Sequence, residues 1–131
     1  MGTHVAAHDQ GFVDAPVSAV YMALRDVPSY VEWWPDAAGP STLDLGRLRG
    51  LRVAADRFRE DLGLFLSLEG RGTGTLEWHL EPFEGGTIVN AILNLDLSGG
   101  PRRSARGLLG ARMSVRRGLV ELKHRLERNG R

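Results

Sequence analysis

The chain has 131 residues, 42% of them hydrophobic and 25% charged, and reads as one globular domain over 1–131 with a single core rather than a disordered protein. It has no cysteine, so disulfides, thiolate nucleophiles and cysteine metal sites are excluded. The net charge is +1 but unevenly spread: residues 1–100 carry seven basic and fourteen acidic side chains (−7), and residues 101–131 carry ten and two (+8).

No stretch approaches the roughly 20 apolar residues that cross a bilayer. The first residues, Met-Gly-Thr-His-Val-Ala-Ala-His, lack the basic start and apolar middle of a signal peptide. The expectation is a cytoplasmic protein with no integral membrane association. Sixteen arginines against one lysine, Lys123, is a usage associated with GC-rich bacterial genomes.

Thr3 to Val13 suits a first strand, weakened by Gly11. Asp14-Ala15-Pro16 then opens a short amphipathic helix, because proline is tolerated at a helix start and Val17, Val20, Tyr21 and Leu24 follow at helical spacing up to about Asp26. Pro28 begins a second short helical segment that Pro35 and Gly39 stop. From Ser41 to Leu97 the period becomes two. Leu62, Leu64, Leu66 and Leu68 form one alternating run, and the Gly70-Arg71-Gly72-Thr73-Gly74 stretch turns the chain. Leu76, Trp78 and Leu80 form another run, and Glu84-Gly85-Gly86 joins it as a hairpin to Val89, Ala91, Leu93, Leu95 and Leu97. Residues 42–59 supply two further strands, with a parity change between Ala55 and Phe58 that predicts a bulge.

Gly99-Gly100-Pro101 ends the sheet, and one helix follows to about Arg128. Ala105, Leu108, Arg112, Val115, Leu119, Leu122 and Leu126 recur at steps of three and four, the stripe a helix lays along a core. About 25 residues at 1.5 Å each is roughly 38 Å, enough to cross the sheet.

Three stretches resemble the START-like (SRPBCC) superfamily, which includes aromatic polyketide cyclases, lipid-transfer domains and plant ligand-binding allergens. They are Val13-Asp14-Ala15-Pro16 with Val20-Tyr21; Asp26-Val27-Pro28-Ser29-Tyr30 with Trp33-Trp34-Pro35; and Gly72 to Trp78 continuing to Glu81-Pro82 and Gly86-Thr87. Gly118-Leu119 to Leu126-Glu127 is similar to that superfamily's last helix. The resemblance implies an α+β helix-grip fold: an antiparallel sheet of about six strands around a long C-terminal helix, with two short helices after the first strand. The segment from Pro35 to Gly70 is shorter than in similar bacterial members, which predicts a short or missing strand and leaves the pocket's size open.

The resemblance also implies an internal cavity between sheet and helix for a hydrophobic or aromatic small molecule such as a lipid or polyketide. Its expected lining is Trp33, Leu64, Leu66, Trp78, Leu80, Leu93, Leu95, Leu108, Arg112, Met113 and Val115; a collapsed core would explain the same apolar residues. Arg112 interrupts the helix's apolar stripe, so it must reach water, hold a polar ligand group, or pair with an internal carboxylate such as Asp9 or Asp56. An enzyme similar to polyketide cyclases or dehydratases is the alternative, with Arg112, Asp9 and Tyr21 its polar candidates and no catalytic set assignable. A second alternative resembles the quinone-binding or ribosome-associated accessory branch.

Arg102, Arg103 and Arg106 stand where the helix macrodipole disfavours cations, and would attract an anionic ligand, an acyl carrier, a membrane surface or another copy's acidic sheet, or form a solvated face. Gly107 and Gly110 suggest a flexible entrance segment or close packing. His4 and His8 lie about 13 Å apart along a strand, too far to share a metal. His79 faces away from the pocket with Glu77 and Glu81. No cofactor, metal or nucleic-acid motif is present: the Gly70–Gly74 run joins strands rather than opening a helix. A homodimer is compatible with the charge split.

Overall fold

The protein is described here from a computed structural model covering residues 2–129. Its strands are β1 (Gly2–Val13), β2 (Ala37–Gly39), β3 (Thr42–Leu45), β4 (Leu48–Arg59), β5 (Gly63–Glu69), β6 (Gly72–Phe83) and β7 (Gly86–Ser98). The helix α1 (Val17–Arg25) and a 3-10 segment (Val27–Glu32) follow β1, and α2 (Pro101–Asn129) ends the described chain. The strands form one sheet in the order β1-β7-β6-β5-β4-β3-β2. Every neighbouring pair is antiparallel. This is a helix-grip α+β fold with seven strands rather than the expected six or so; the additional one, β2, is only three residues long.

Period-two alternation puts one apolar row per strand on the inner face. The register stacks these rows into layers: Leu66 faces Leu76, which faces Leu93, and Leu64 faces Trp78, which faces Ala91. Ala91 is the small partner that gives the Trp78 indole room, and Trp78 is fully buried. The parity change in β4 is real. The register shifts between Asp56 and Arg59, Arg57 takes φ +52°, and Phe58 is turned out to 50% exposure. The alternation in front of β5 also stops early: Leu62 is exposed, while Leu64, Leu66 and Leu68 are buried.

The helix stripe follows its hydropathy pattern at Val115, Leu119 and Leu122, with Leu108 and Leu126 half-buried against the core, and differs from it elsewhere. The buried face of α2 is Ser104, Gly107, Ala111, Ser114, Val115, Gly118, Leu119 and Leu122, whereas Ala105 is exposed. Small residues face inward because α2 comes so close to its neighbours that larger ones do not fit. A Cβ on Gly118 would lie 2.8 Å from the Trp34 ring, and a Cβ on Gly46, in the β3–β4 turn at φ +63°, would lie 2.7 Å from the backbone of Gly110. The glycines therefore serve close packing, against that turn, Leu97 and Trp34. Polar groups fasten the contact: Trp34 Nε1 donates to the Ser114 carbonyl at 3.1 Å, and Ser114 Oγ donates to Asp36 at 2.6 Å.

Candidate functional site

Between sheet and helix lies an aromatic cluster. Trp33 stacks on Trp34 with ring centroids 5.7 Å apart, Trp34 meets Trp78 edge-on at 6.0 Å, and Tyr30 lies 4.9 Å from Trp33. Hydrogen bonds lock the cluster, since Trp78 Nε1 donates to the Tyr30 hydroxyl at 3.1 Å and that hydroxyl donates to the Leu24 carbonyl. Burial pushes the Tyr30 phenol far above its ordinary range, against the lowering effect of the Trp78 hydrogen bond, so it stays neutral.

The residues expected to line the cavity separate accordingly. Trp33, Leu64, Leu66, Trp78, Leu80, Leu93, Leu95 and Val115 are buried core, and Leu108 is half-buried against them. Met113 is 51% exposed and cannot face the interior; it sits on the outer side of α2 because Ser114 and Val115 take the inner side at that turn. Arg112 lies beside the groove described next. Tyr21 is buried in the core.

A groove of about 930 Å³ runs between β1 and α2, bounded by residues 8–12 on one side and by Arg112, Arg116, Leu119, Val120 and Lys123 on the other. It exists because β1 is the sheet's edge and α2 lies along it. Leu119 packs on the strand at Gly11, where a Cβ would lie 3.8 Å from it, an ordinary contact. Phe12 turns outward and meets Phe83 edge-on at 6.4 Å. Lys123 Nζ donates to the Phe12 carbonyl at 3.0 Å, covering one free acceptor of the edge strand.

At the other end of the groove Asp9 is the one inward-pointing acid of β1, with only 9% of its surface exposed. Arg112 grips it with Nε at 3.3 Å and Nη2 at 3.1 Å, and Arg116 Nε reaches it at 3.0 Å. Burial would raise the Asp9 carboxyl, but the hydrogen bonds and charges of Arg112 and then Arg116 outweigh it and hold Asp9 below the ordinary carboxylate value. The same contact holds the Arg112 guanidinium above its ordinary value. Of the three fates open to Arg112, the internal carboxylate is the one realised. Asp56 instead sits exposed in the β4 bulge and accepts from the Arg57 backbone N–H.

Chemically, Asp9 is a fixed anion and a weak proton acceptor at neutral pH. The groove lining carries three cations, Arg112, Arg116 and Lys123, against this one carboxylate, and Lys123 shares its charge with Glu127 at 2.6 Å. Arg116 is 62% exposed and uses only its Nε on Asp9, which leaves its terminal nitrogens without a protein partner among the described residues. What results is a partly apolar channel with an excess of positive charge.

Arg116, Lys123 and Phe12 were not singled out in sequence. The available signal was the four-residue spacing of Arg112 and Arg116 on one helix face, opposite an acid at an inward position of β1. His8 lines the groove, with its Nε2 2.9 Å from the Asn90 side chain, and His4 Nδ1 meets Asp96 at 3.2 Å.

No protein-family model matches this sequence, and no curated protein matches it. Solved structures do match. A START superfamily protein from Mycobacterium smegmatis superposes with a TM-score of 0.75 at 17% identity, over 96% of this chain and 99% of that one. The fold is START-like. The di-domain aromatase/cyclase BexL of the BE-7585A biosynthetic pathway is similar with a TM-score of 0.74 at 15% identity, and this START-like chain spans about half of it (95% of this chain, 50% of that one). The Aha1 dimer from Colwellia psychrerythraea is similar with a TM-score of 0.66 at 17% identity, over 94% and 96% of the two chains. Among the described residues, no helix is long and apolar enough to cross a membrane.

Proposed function

We propose that this START-like chain is a binding protein for an amphipathic small molecule, an aromatic or aliphatic body with an anionic group, held in the groove between β1 and α2. The observation that carries the reading is the groove itself: about 930 Å³, with Phe12, Leu119 and Val120 as apolar surface and Arg116 and Lys123 as unequally satisfied cations. The volume lies in the range of small-molecule sites, and apolar walls with a few placed charges are how such sites combine affinity with orientation. Binding rather than turnover is favoured because Asp9 is held ionised and Tyr30 is held neutral, which leaves neither poised to move a proton near neutral pH. This reading places the site at the sheet edge, with the aromatic cluster packed between sheet and helix.

The test uses two related fluorescent probes, anionic 1-anilinonaphthalene-8-sulfonate and neutral N-phenyl-1-naphthylamine. Arg116→Leu leaves Arg112 on Asp9, so the fold is retained, and it should weaken the anionic probe by about fivefold to tenfold while changing the neutral one little. Val120→Trp, at a 48% exposed position, should weaken both by filling the groove. Unchanged affinities in both variants would remove the groove as the site. Extraction and mass determination of any small molecule that co-purifies would then name the ligand.

A further inference from the structure

At the far end of α2 a second, more enclosed cavity of about 440 Å³ is lined by Arg47, Arg71 and Arg103 together with Leu48, Leu97, Ser98 and Gly107. Its cations come from three separate places: the β3–β4 turn, the β5–β6 turn and the first turn of α2. The packing around it is specific. Leu97 forms the apolar floor, fitted against Gly72 and Gly107, where a Cβ would lie 2.6 Å and 3.1 Å from its methyl carbons. The aliphatic stem of Arg103 crosses Gly99, whose φ of +106° and missing side chain leave room for it; a Cβ there would lie 2.9 Å from Arg103 Cδ.

Five arginines elsewhere are answered by acids: Arg52 by Glu69, Arg112 and Arg116 by Asp9, Arg117 by Asp36, and Arg125 by Glu32. Around this cavity no carboxylate lines the wall, and none of the three guanidiniums enters an ion pair or side-chain hydrogen bond among the described residues. Converging like charges without a counter-ion is unfavourable, and Arg103 is further disfavoured by its place in the first helical turn. What sets these three apart from other unpaired arginines is that they line one cavity with no carboxylate in its wall, an arrangement suited to an anion.

We infer that this cavity binds the phosphate or diphosphate group of an ester. Guanidiniums present planar pairs of donors that match phosphate oxygens, three of them suit a multiply charged group better than a single carboxylate, and Leu48 and Leu97 offer apolar contact to the esterified stem. The group could reach the site on a soluble metabolite or as a lipid headgroup at a membrane surface. The site is independent of the β1–α2 groove, so either can fail without the other.

The experiment is calorimetric titration with sodium pyrophosphate at constant ionic strength, alongside flotation with phosphatidylcholine vesicles containing or lacking phosphatidic acid. Arg47→Ser and Arg71→Ser alter exposed turn residues. Arg59→Ser, at the opposite end of β4 and β5, makes the same change of charge away from the cavity. One-to-one binding of pyrophosphate that falls about tenfold in each turn variant and stays within twofold in Arg59→Ser establishes the site with a soluble ester. Flotation only with phosphatidic acid, lost in the same two variants and without pyrophosphate binding, establishes it with a lipid headgroup. Binding of neither probe, or an equal loss in Arg59→Ser, overturns the inference.

Discussion

The three glycines of α2 that face the rest of the fold give a prediction in which two effects of known size oppose each other. Replacing glycine by alanine inside a helix favours folding by about 1 kcal/mol, because it removes backbone freedom from the unfolded chain. Whether the folded state accepts the methyl depends on what it would touch. At Gly110 the nearest atom is the Gly46 Cα at 3.5 Å, an ordinary contact, so Gly110→Ala should stabilise by about 0.5–1 kcal/mol. At Gly107 the methyl meets Leu97 Cδ1 at 3.1 Å, the end of a flexible side chain, and the net effect should lie near zero. At Gly118 it would stand 2.8–3.1 Å from three atoms of the Trp34 indole. That ring is rigid, is stacked on Trp33 and is anchored by its hydrogen bond to the Ser114 carbonyl, so it cannot withdraw. Overpacking of this kind costs about 1–3 kcal/mol, which exceeds the propensity gain. Urea unfolding at neutral pH should rank the variants Gly110→Ala, then Gly107→Ala, then Gly118→Ala, with only the last below the parent. A Gly118→Ala protein as stable as the parent, or more so, would show that α2 does not approach Trp34 as described.

The Asp9 cluster predicts a pH dependence. Because the folded-state value of Asp9 is depressed, its contribution is fully present above the unfolded carboxyl's ordinary value and is lost as pH falls through the folded one; the stability gap between parent and Asp9→Asn should be constant above about pH 5 and shrink below about pH 4. Urea midpoints from pH 3 to 7 check this, and a gap that widens on acidification would contradict it. Tyr30→Phe removes the donor to the Leu24 carbonyl and leaves Trp78 Nε1 without its acceptor in the core, which should cost about 1–3 kcal/mol in the same assay. A loss below about 0.5 kcal/mol would mean that the pair contributes little to the net stability.

What could be read in the sequence was what depends on period. Leu64, Leu66 and Leu68, then Leu76, Trp78 and Leu80, alternate cleanly, and each run became a strand with those residues buried. The turn at Glu84-Gly85 and the bulge after Ala55 were visible too, because each requires a break in alternation. The face of α2 was not legible in the same way. Hydropathy weights large apolar residues, but this helix is held at a distance where Ser104, Gly107, Ser114 and Gly118 make the contact, and such residues carry almost no hydropathic signal. The sites depend on tertiary proximity of a kind no local pattern encodes. Asp9 could be named as a partner for Arg112 only alongside Asp56, because the two lie 103 residues apart, and Arg47, Arg71 and Arg103 lie in different turns, each alone an ordinary surface arginine.

The same small-residue face links packing to where a ligand can be held. With Trp34 laid on Gly118 and Gly110 against the β3–β4 turn, the helix lies close to the sheet and the aromatic cluster packs between them. Open volume is found at two seams: along the edge of β1, where no further strand covers the sheet, and at the end of α2, where three turns meet. Both seams carry arginine in excess of carboxylate, so a shared anionic chemistry, with apolar contact as its second element, follows from where the helix lies rather than from the interior of the fold.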